Sequence, residues 1–133
     1  MNVKNLTAAQ LMNTDLATIA STETLRTAAR RMAEKRLHCL LVPSSEPNRC
    51  MGIITGKDIV QILCESEPQV LDQLHVADAS TAPVISVQKD FAIVDCVRFM
   101  RMSGVRRVLV LDGTKPVGLL SFTDVLRAVA QEE

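Results

Sequence analysis

Apolar residues fall at two periods along this chain, and the alternation between them predicts the elements. Leu25, Ala28, Ala29, Met32 and Ala33 recur at helical spacing, which predicts one apolar stripe on a helix from about 23 to 36, with Arg26, Arg30 and Glu34 on its wet face. Thr22 is the expected N-cap of that helix, and Asp90 stands at the matching place later in the chain. Cys39 to Val42 and Val108 to Leu111 are continuous aliphatic runs, too short for helices and rich in strand formers. They read as buried strands. Residues 16 to 20 form a further short strand, and Leu6 to Met12 and Leu74 to Ala79 form short leading helices. Closing helices are expected over Lys57 to Cys64 and Thr123 to Ala130, burying Ile59, Ile62 and Leu63 in one and Val125, Leu126 and Val129 in the other.

The pattern occurs twice. Laying Leu16 to Ile19 on Val84 to Val87 brings Leu25 onto Ile93, Met32 onto Met100, and Leu40 to Val42 onto Val108 to Val110, without a gap. The following turn-rich segments, Pro43 to Arg49 and Asp112 to Pro116, differ in length by two residues, after which Gly52, Thr55 and Asp58 meet Gly118, Ser121 and Asp124. Each copy reads strand, helix, strand, strand, helix, and Gly104 supplies the left-handed residue that ends the second copy's first helix. The expected organisation is 8–66 for the first repeat, 67–75 for a linker containing Pro68, and 76–131 for the second repeat. One copy is too small to bury its own elements well, so an α+β fold is expected, with the two β-α-β-β-α repeats packed sheet to sheet about a pseudo-twofold axis. Two equivalent clefts would follow.

Composition narrows the function. Three Phe and no Trp or Tyr provide no stacking platform for bases, and fifteen basic residues balance fifteen acidic ones, so neither nucleic acid nor an anionic membrane is an expected partner. The early residues lack the apolar core of a signal peptide, and no stretch approaches eighteen apolar residues, so a cytoplasmic protein is expected. Cys39, Cys50, Cys64 and Cys96 show no paired spacing and read as small buried apolar residues.

The candidate chemistry lies in the repeated turn. Thr55-x-x-Asp58 and Ser121-x-x-Asp124 have capping-box spacing, in which the hydroxyl accepts a backbone N–H and the carboxylate sits at the positive helix end. The same groups can hold a phosphate and a ribose, and the two readings share one backbone. Arg106 and Arg107 stand at the start of a buried strand, where a guanidinium suits bidentate phosphate contact. The matching pair in the first repeat is His38 and Cys39, with Lys57 able to add charge from the turn.

These residues resemble a tandem pair of CBS domains, the cystathionine-β-synthase-type regulatory module. The resemblance spans roughly 10 to 131 and rests on the duplicated element order, on Gly52-Ile53-Ile54-Thr55-x-x-Asp58 with Gly118-Leu119-Leu120-Ser121-x-x-Asp124, and on the run from Gly104 to Asp112. It implies adenosine ligands such as AMP, ADP, ATP or S-adenosylmethionine, with dimerisation through helices. It further implies that Asp58 and Asp124 hold ribose and that Thr55 and Ser121 hold phosphate. Arg106, Arg107 and His38 would touch phosphate, while Thr18, Ile19, Ile85 and Val87 would line the base pocket. Cys39 departs from the basic residue common at its position, which makes the Ser121 and Asp124 cleft the preferred site. Neither His has a paired nucleophile and no metal-ligand set exists, so the expectation is a non-enzymatic sensor, with no required cofactor, acting as a homodimer on a separate regulated protein. The alternative is an interaction module that binds no ligand and whose turns serve only as caps.

Overall fold

The computed structural model describes residues 2–44 and 51–132. Backbone contacts divide the chain into two compact units, one of residues 17–84 and one of residues 1–16 together with 85–133.

In the unit 17–84 the first helix, α2 (Leu25–Lys35), buries Leu25, Ala28 and Met32. Its N-cap is Thr24, whose hydroxyl accepts from the Thr27 amide at 3.2 Å, so the cap lies two residues beyond the expected Thr22. Arg36 ends the helix in the left-handed region at φ 56°. Strand β1 (Cys39–Val42) pairs antiparallel with β2 (Gly52–Thr55), placing Cys39 opposite Thr55 and Val42 opposite Gly52. The strand expected over 16–20 is reduced to a single parallel bridge between Thr18 and Leu41, held by the Ile19 amide on Leu41 O and the Leu41 amide on Ala17 O. Helix α3 (Gly56–Glu65) leaves β2 directly. The segment expected as a linker carries a helical turn, α4 (Val70–Gln73), with Leu71 buried in the core and Arg26 Nε donating to Asp72 at 2.6 Å. After α5 (Val76–Ala79), Thr81 bridges to Ile53.

The other unit repeats the plan in two chain segments. Strand β3 (Ser86–Gln88) runs parallel to β4 (Arg107–Asp112), which pairs antiparallel with β5 (Lys115–Ser121). Helix α6 (Ile93–Ser103) closes on Gly104 at φ 69°, as its sequence predicts. Its N-cap is Ala92, with no side-chain bond, so the cap expected at Asp90 is absent and the two repeats do not share this device. Helix α7 (Phe122–Ala130) follows β5. The N-terminal segment supplies a 3-10 turn (Val3–Asn5) and α1 (Ala8–Leu11), and Asn13 bridges to Leu119 just as Thr81 bridges to Ile53. Met12 covers Gly118 so closely that a Cβ there would fall on its side chain.

The cores are aliphatic. Ile19, Leu25, Leu40 and Ile54 centre one, and Met100, Val108, Val110 and Leu120 the other. The closing helices bury less than their spacing predicts. Ile59 is buried and Ile62 and Val125 pack on the cores, but Leu63, Leu126 and Val129 are exposed together with Val60. Helical periodicity marks an apolar face without saying what covers it. The cysteines also divide: Cys96 is fully buried, Cys39 is partly covered, Cys64 is exposed, and Cys50 lies outside the described residues with most of the loop before β2.

Candidate functional site

Each repeat builds its turn from a strand that runs straight into a helix. Thr55 is extended at φ −114° and caps α3. Its amide donates to Asp58 Oδ2 at 2.9 Å, and its hydroxyl accepts from the Asp58 amide at 3.2 Å. The Gly56 amide donates to the His38 carbonyl at 2.9 Å, which fixes the start of β1 against the helix end. Of the first three helical amides, that of Lys57 remains without a partner among the described residues.

The second turn repeats these bonds one for one. The Ser121 amide donates to Asp124 Oδ2 at 2.9 Å, the Asp124 amide donates to Ser121 Oγ at 3.3 Å, and the Phe122 amide donates to the Arg106 carbonyl at 3.1 Å. One hydrogen bond and one ion pair are added. The Ser121 hydroxyl itself donates to Asp124 Oδ2 at 3.0 Å, and Arg127 Nη1 stands 3.6 Å from Asp124 Oδ1. The Asp124 carboxylate is mostly covered, with its side chain 14% exposed, while Arg127 is largely open to solvent. Arg127 is a cation that the sequence reading missed. Its signal was available, three residues beyond an aspartate on a helix.

Both capping boxes are therefore real, and both leave chemistry to spare. Each turn has a hydroxyl oxygen, a carboxylate at least partly covered and the positive end of a helix of nine or ten residues. Such a turn can accept ribose hydroxyls at the carboxylate and hold an anion at the uncommitted amide.

The structure keeps each predicted set within one unit. Thr18, Ile19, His38, Thr55 and Asp58 belong to 17–84, and Ile85, Val87, Arg106, Arg107, Ser121 and Asp124 to the other. His38 and Arg106 are exposed and lie beside their turns through their carbonyls. Arg107 is half-buried opposite Ser121 in the β4–β5 ladder, so the two arginines differ in environment as strand alternation requires. Ile19 and Val87 are committed to the cores. Thr18 is exposed and Ile85 partly so. Among the described residues no group of three or more His, Cys, Asp or Glu could hold a metal ion, and no helix is long and apolar enough to cross a membrane.

Comparison with known proteins follows the same duplication. The CBS domain profile matches this chain twice, over 8–65 and 76–131. An uncharacterized protein of Methanopyrus kandleri is 27% identical over 94% of the chain. The chain spans 63% of that relative and 41% of a second, from Methanocaldococcus jannaschii. Among solved structures, a hexameric CBS-CP12 protein from bloom-forming cyanobacteria superposes with a TM-score of 0.84 at 25% identity, over 92% of this chain and 67% of that one. A CBS domain pair in complex with 5-methylthioadenosine and S-adenosyl-L-methionine has a TM-score of 0.80 at 18% identity, covering 97% of this chain and 99% of that one. A third structure, CBSX2 in complex with AMP, has a TM-score of 0.75 at 20% identity, over 96% of this chain and 98% of that one.

Proposed function

This chain belongs to the CBS-domain family and carries the domain as a tandem pair, and from that premise we propose that it is a regulatory module that binds an adenosine compound and signals its presence to a partner protein. The observation that carries this reading is the turn that occurs twice with the same bonds, at Thr55 and Asp58 and at Ser121 and Asp124. In this reading the carboxylates of Asp58 and Asp124 accept the ribose hydroxyls, and Thr55 and Ser121 donate to phosphate. Arg106, Arg107 and His38 supply charge to the phosphates of AMP, ADP or ATP, or meet the S-adenosylmethionine carboxylate. The base lies along Thr18 and Ile85, with Ile19 and Val87 holding those segments in place from the core. The second turn is the stronger site because two arginines precede it where the first repeat has His38 and Cys39. The related folds that hold S-adenosyl-L-methionine or AMP support this ligand class.

Occupancy would be transmitted as a shift between conformations of the pair, and the module works without catalysis and without a required cofactor. A homodimer is part of the same reading. Val60 and Leu63 on α3 and Leu126 and Val129 on α7 are apolar side chains left exposed, and the cyanobacterial structure is itself an assembly.

Calorimetry with AMP, ATP and S-adenosylmethionine tests the proposal. At least one should bind, and Asp124→Ala should weaken it at least tenfold, with Asp58→Ala having the smaller effect. If none binds the wild-type protein, the reading fails. The hydroxyl of Ser121 bonded to the Asp124 carboxylate favours a second reading, an interaction module that binds no ligand, in which Asp124→Ala lowers the melting temperature and nucleotides leave it unmoved.

A further inference from the structure

The face formed by β3 and α6 differs from its counterpart in the other repeat in one informative way. In the unit 17–84, Thr18 occupies the position of Ser86, and its carbonyl points away from β1, because the bonds to Leu41 use the Ala17 carbonyl and the Ile19 amide. Arg31 on α2 covers that carbonyl, donating from Nη1 at 3.1 Å. Arg31 thus closes the outer edge with a charged side chain, a common way of protecting a sheet edge.

In the second repeat Glu23, Arg31 and Glu34 are replaced by Phe91, Phe99 and Met102. The edge is left open. Strand β3 bonds to β4 through residues 85 and 89, which turns the N–H and C=O of Ser86 outward, and among the described residues neither has a partner. Ser86 and Gln88 are exposed. Beside this edge lies a groove of about 420 Å³ lined by Val87, Phe91, Asp95, Arg98, Phe99 and Met102. Met102 is 87% exposed and Phe91 is 41% exposed. Two of the three aromatic residues in the whole chain stand here.

We propose that this groove binds an extended peptide segment of a partner protein, which adds to the edge of β3 through main-chain hydrogen bonds and seats one or two apolar side chains between Phe91, Phe99 and Met102. An unpaired strand edge specifies extended backbone, and a side-chain pocket at alternate positions specifies apolar residues with period two. The volume fits a few side chains. The open edge is a strand of only three residues, Ser86–Gln88, a span that a short extended segment covers in full. The asymmetry points the same way, because only the repeat with the open edge carries the aromatic residues. The groove lining includes no residue of the turns Thr55–Asp58 and Ser121–Asp124, and the proposal stands whether or not those bind adenosine compounds.

The test is an array of hexapeptides with Val, Leu, Ile or Phe at alternate positions and Thr between them, read by fluorescence anisotropy. A subset should bind the wild-type protein. Phe99→Arg, which restores the first repeat's arrangement, should weaken that binding at least tenfold. Met102→Glu, at a side chain too exposed to matter for folding, should weaken it severalfold. The same peptides N-methylated at alternate amides should lose binding, which separates strand addition from simple apolar contact. The proposal is overturned if no peptide binds, if the N-methylated peptides bind equally well, or if neither variant weakens binding. It is also overturned if the only effect of Phe99→Arg is to abolish self-association in sedimentation, since the occupant would then be a second copy.

Discussion

The two units use one plan and finish it differently. The unit 17–84 caps its first helix with Thr24, ends it at the non-glycine Arg36 and shields its outer edge with Arg31. The other unit starts the matching helix at an uncapped Ala92, ends it at Gly104, and leaves an apolar groove where the shield would be. At the turns the order reverses, since the second copy has the extra hydroxyl bond and the Arg127 neighbour. A duplicated fold preserves what the backbone requires and leaves solvent-facing positions free to diverge.

The comparison breaks most sharply in the cores. Ile54 and Leu120 are matched and fully buried. Truncating either to Ala should cost about 2–5 kcal/mol in urea unfolding. A difference between the two variants of more than about 2 kcal/mol would show that the repeats are not energetically equivalent.

Cys96 and Ala28 are the next matched buried pair. Burial, followed by the charge of Asp95, pushes the Cys96 thiol from its ordinary 9.0 up to about 11. Below about pH 9 both folded and unfolded chains keep the proton and no stability is lost. Between about pH 9 and 11 the unfolded chain ionises first, so this contribution, on the order of 2 to 3 kcal/mol, disappears as the pH rises through the folded value. Cys96→Ala should flatten that part of the stability profile. An unchanged alkaline slope would remove Cys96 as its cause.

The strand glycines sharpen the contrast in packing. A Cβ on Gly118 would overlap the Met12 side chain, whereas one on Gly52 would meet the Thr81 carbonyl at 3.0 Å. Both Ala variants should lose stability, by roughly 1–3 kcal/mol, and Gly118→Ala should regain part of the loss when Met12 is shortened to Ala. Gly52→Ala has backbone as its obstacle and should show no such rescue.

The smallest effects come from the caps. Thr24→Ala should cost about 1 kcal/mol, and Ala92→Thr should gain a comparable amount by giving the second repeat the bond it lacks. Thermal melts of both variants measure this. A loss on Ala92→Thr would mean that the entry to α6 is held in a backbone geometry closed to capping.

The cap positions mark where sequence reasoning ended. Thr22 and Thr24 are both good capping residues, and the choice depends on where the preceding chain is tied down, through the Leu25 amide on Leu74 O and the Val76 amide on Glu23 O. Those partners are some fifty residues away. The exposure of Leu63, Leu126 and Val129 escapes the sequence pattern for a similar reason, since a periodic stripe reports helical phase and leaves its cover undetermined.

The order of elements, the duplication and the repeated Thr55–Asp58 and Ser121–Asp124 turns were legible from the sequence alone. Each depends on local spacing: the helical period, the strand run and a cap three residues from its carboxylate. Other features required the tertiary structure. Only the fold assigns residues 1–16 to the unit of 85–133, reduces the strand at Thr18 to one bridge, and sets Arg31 over one sheet edge while opening a groove beside Phe99 at the other. Contacts between residues distant in sequence decide these features, and no local pattern encodes which distant partner wins.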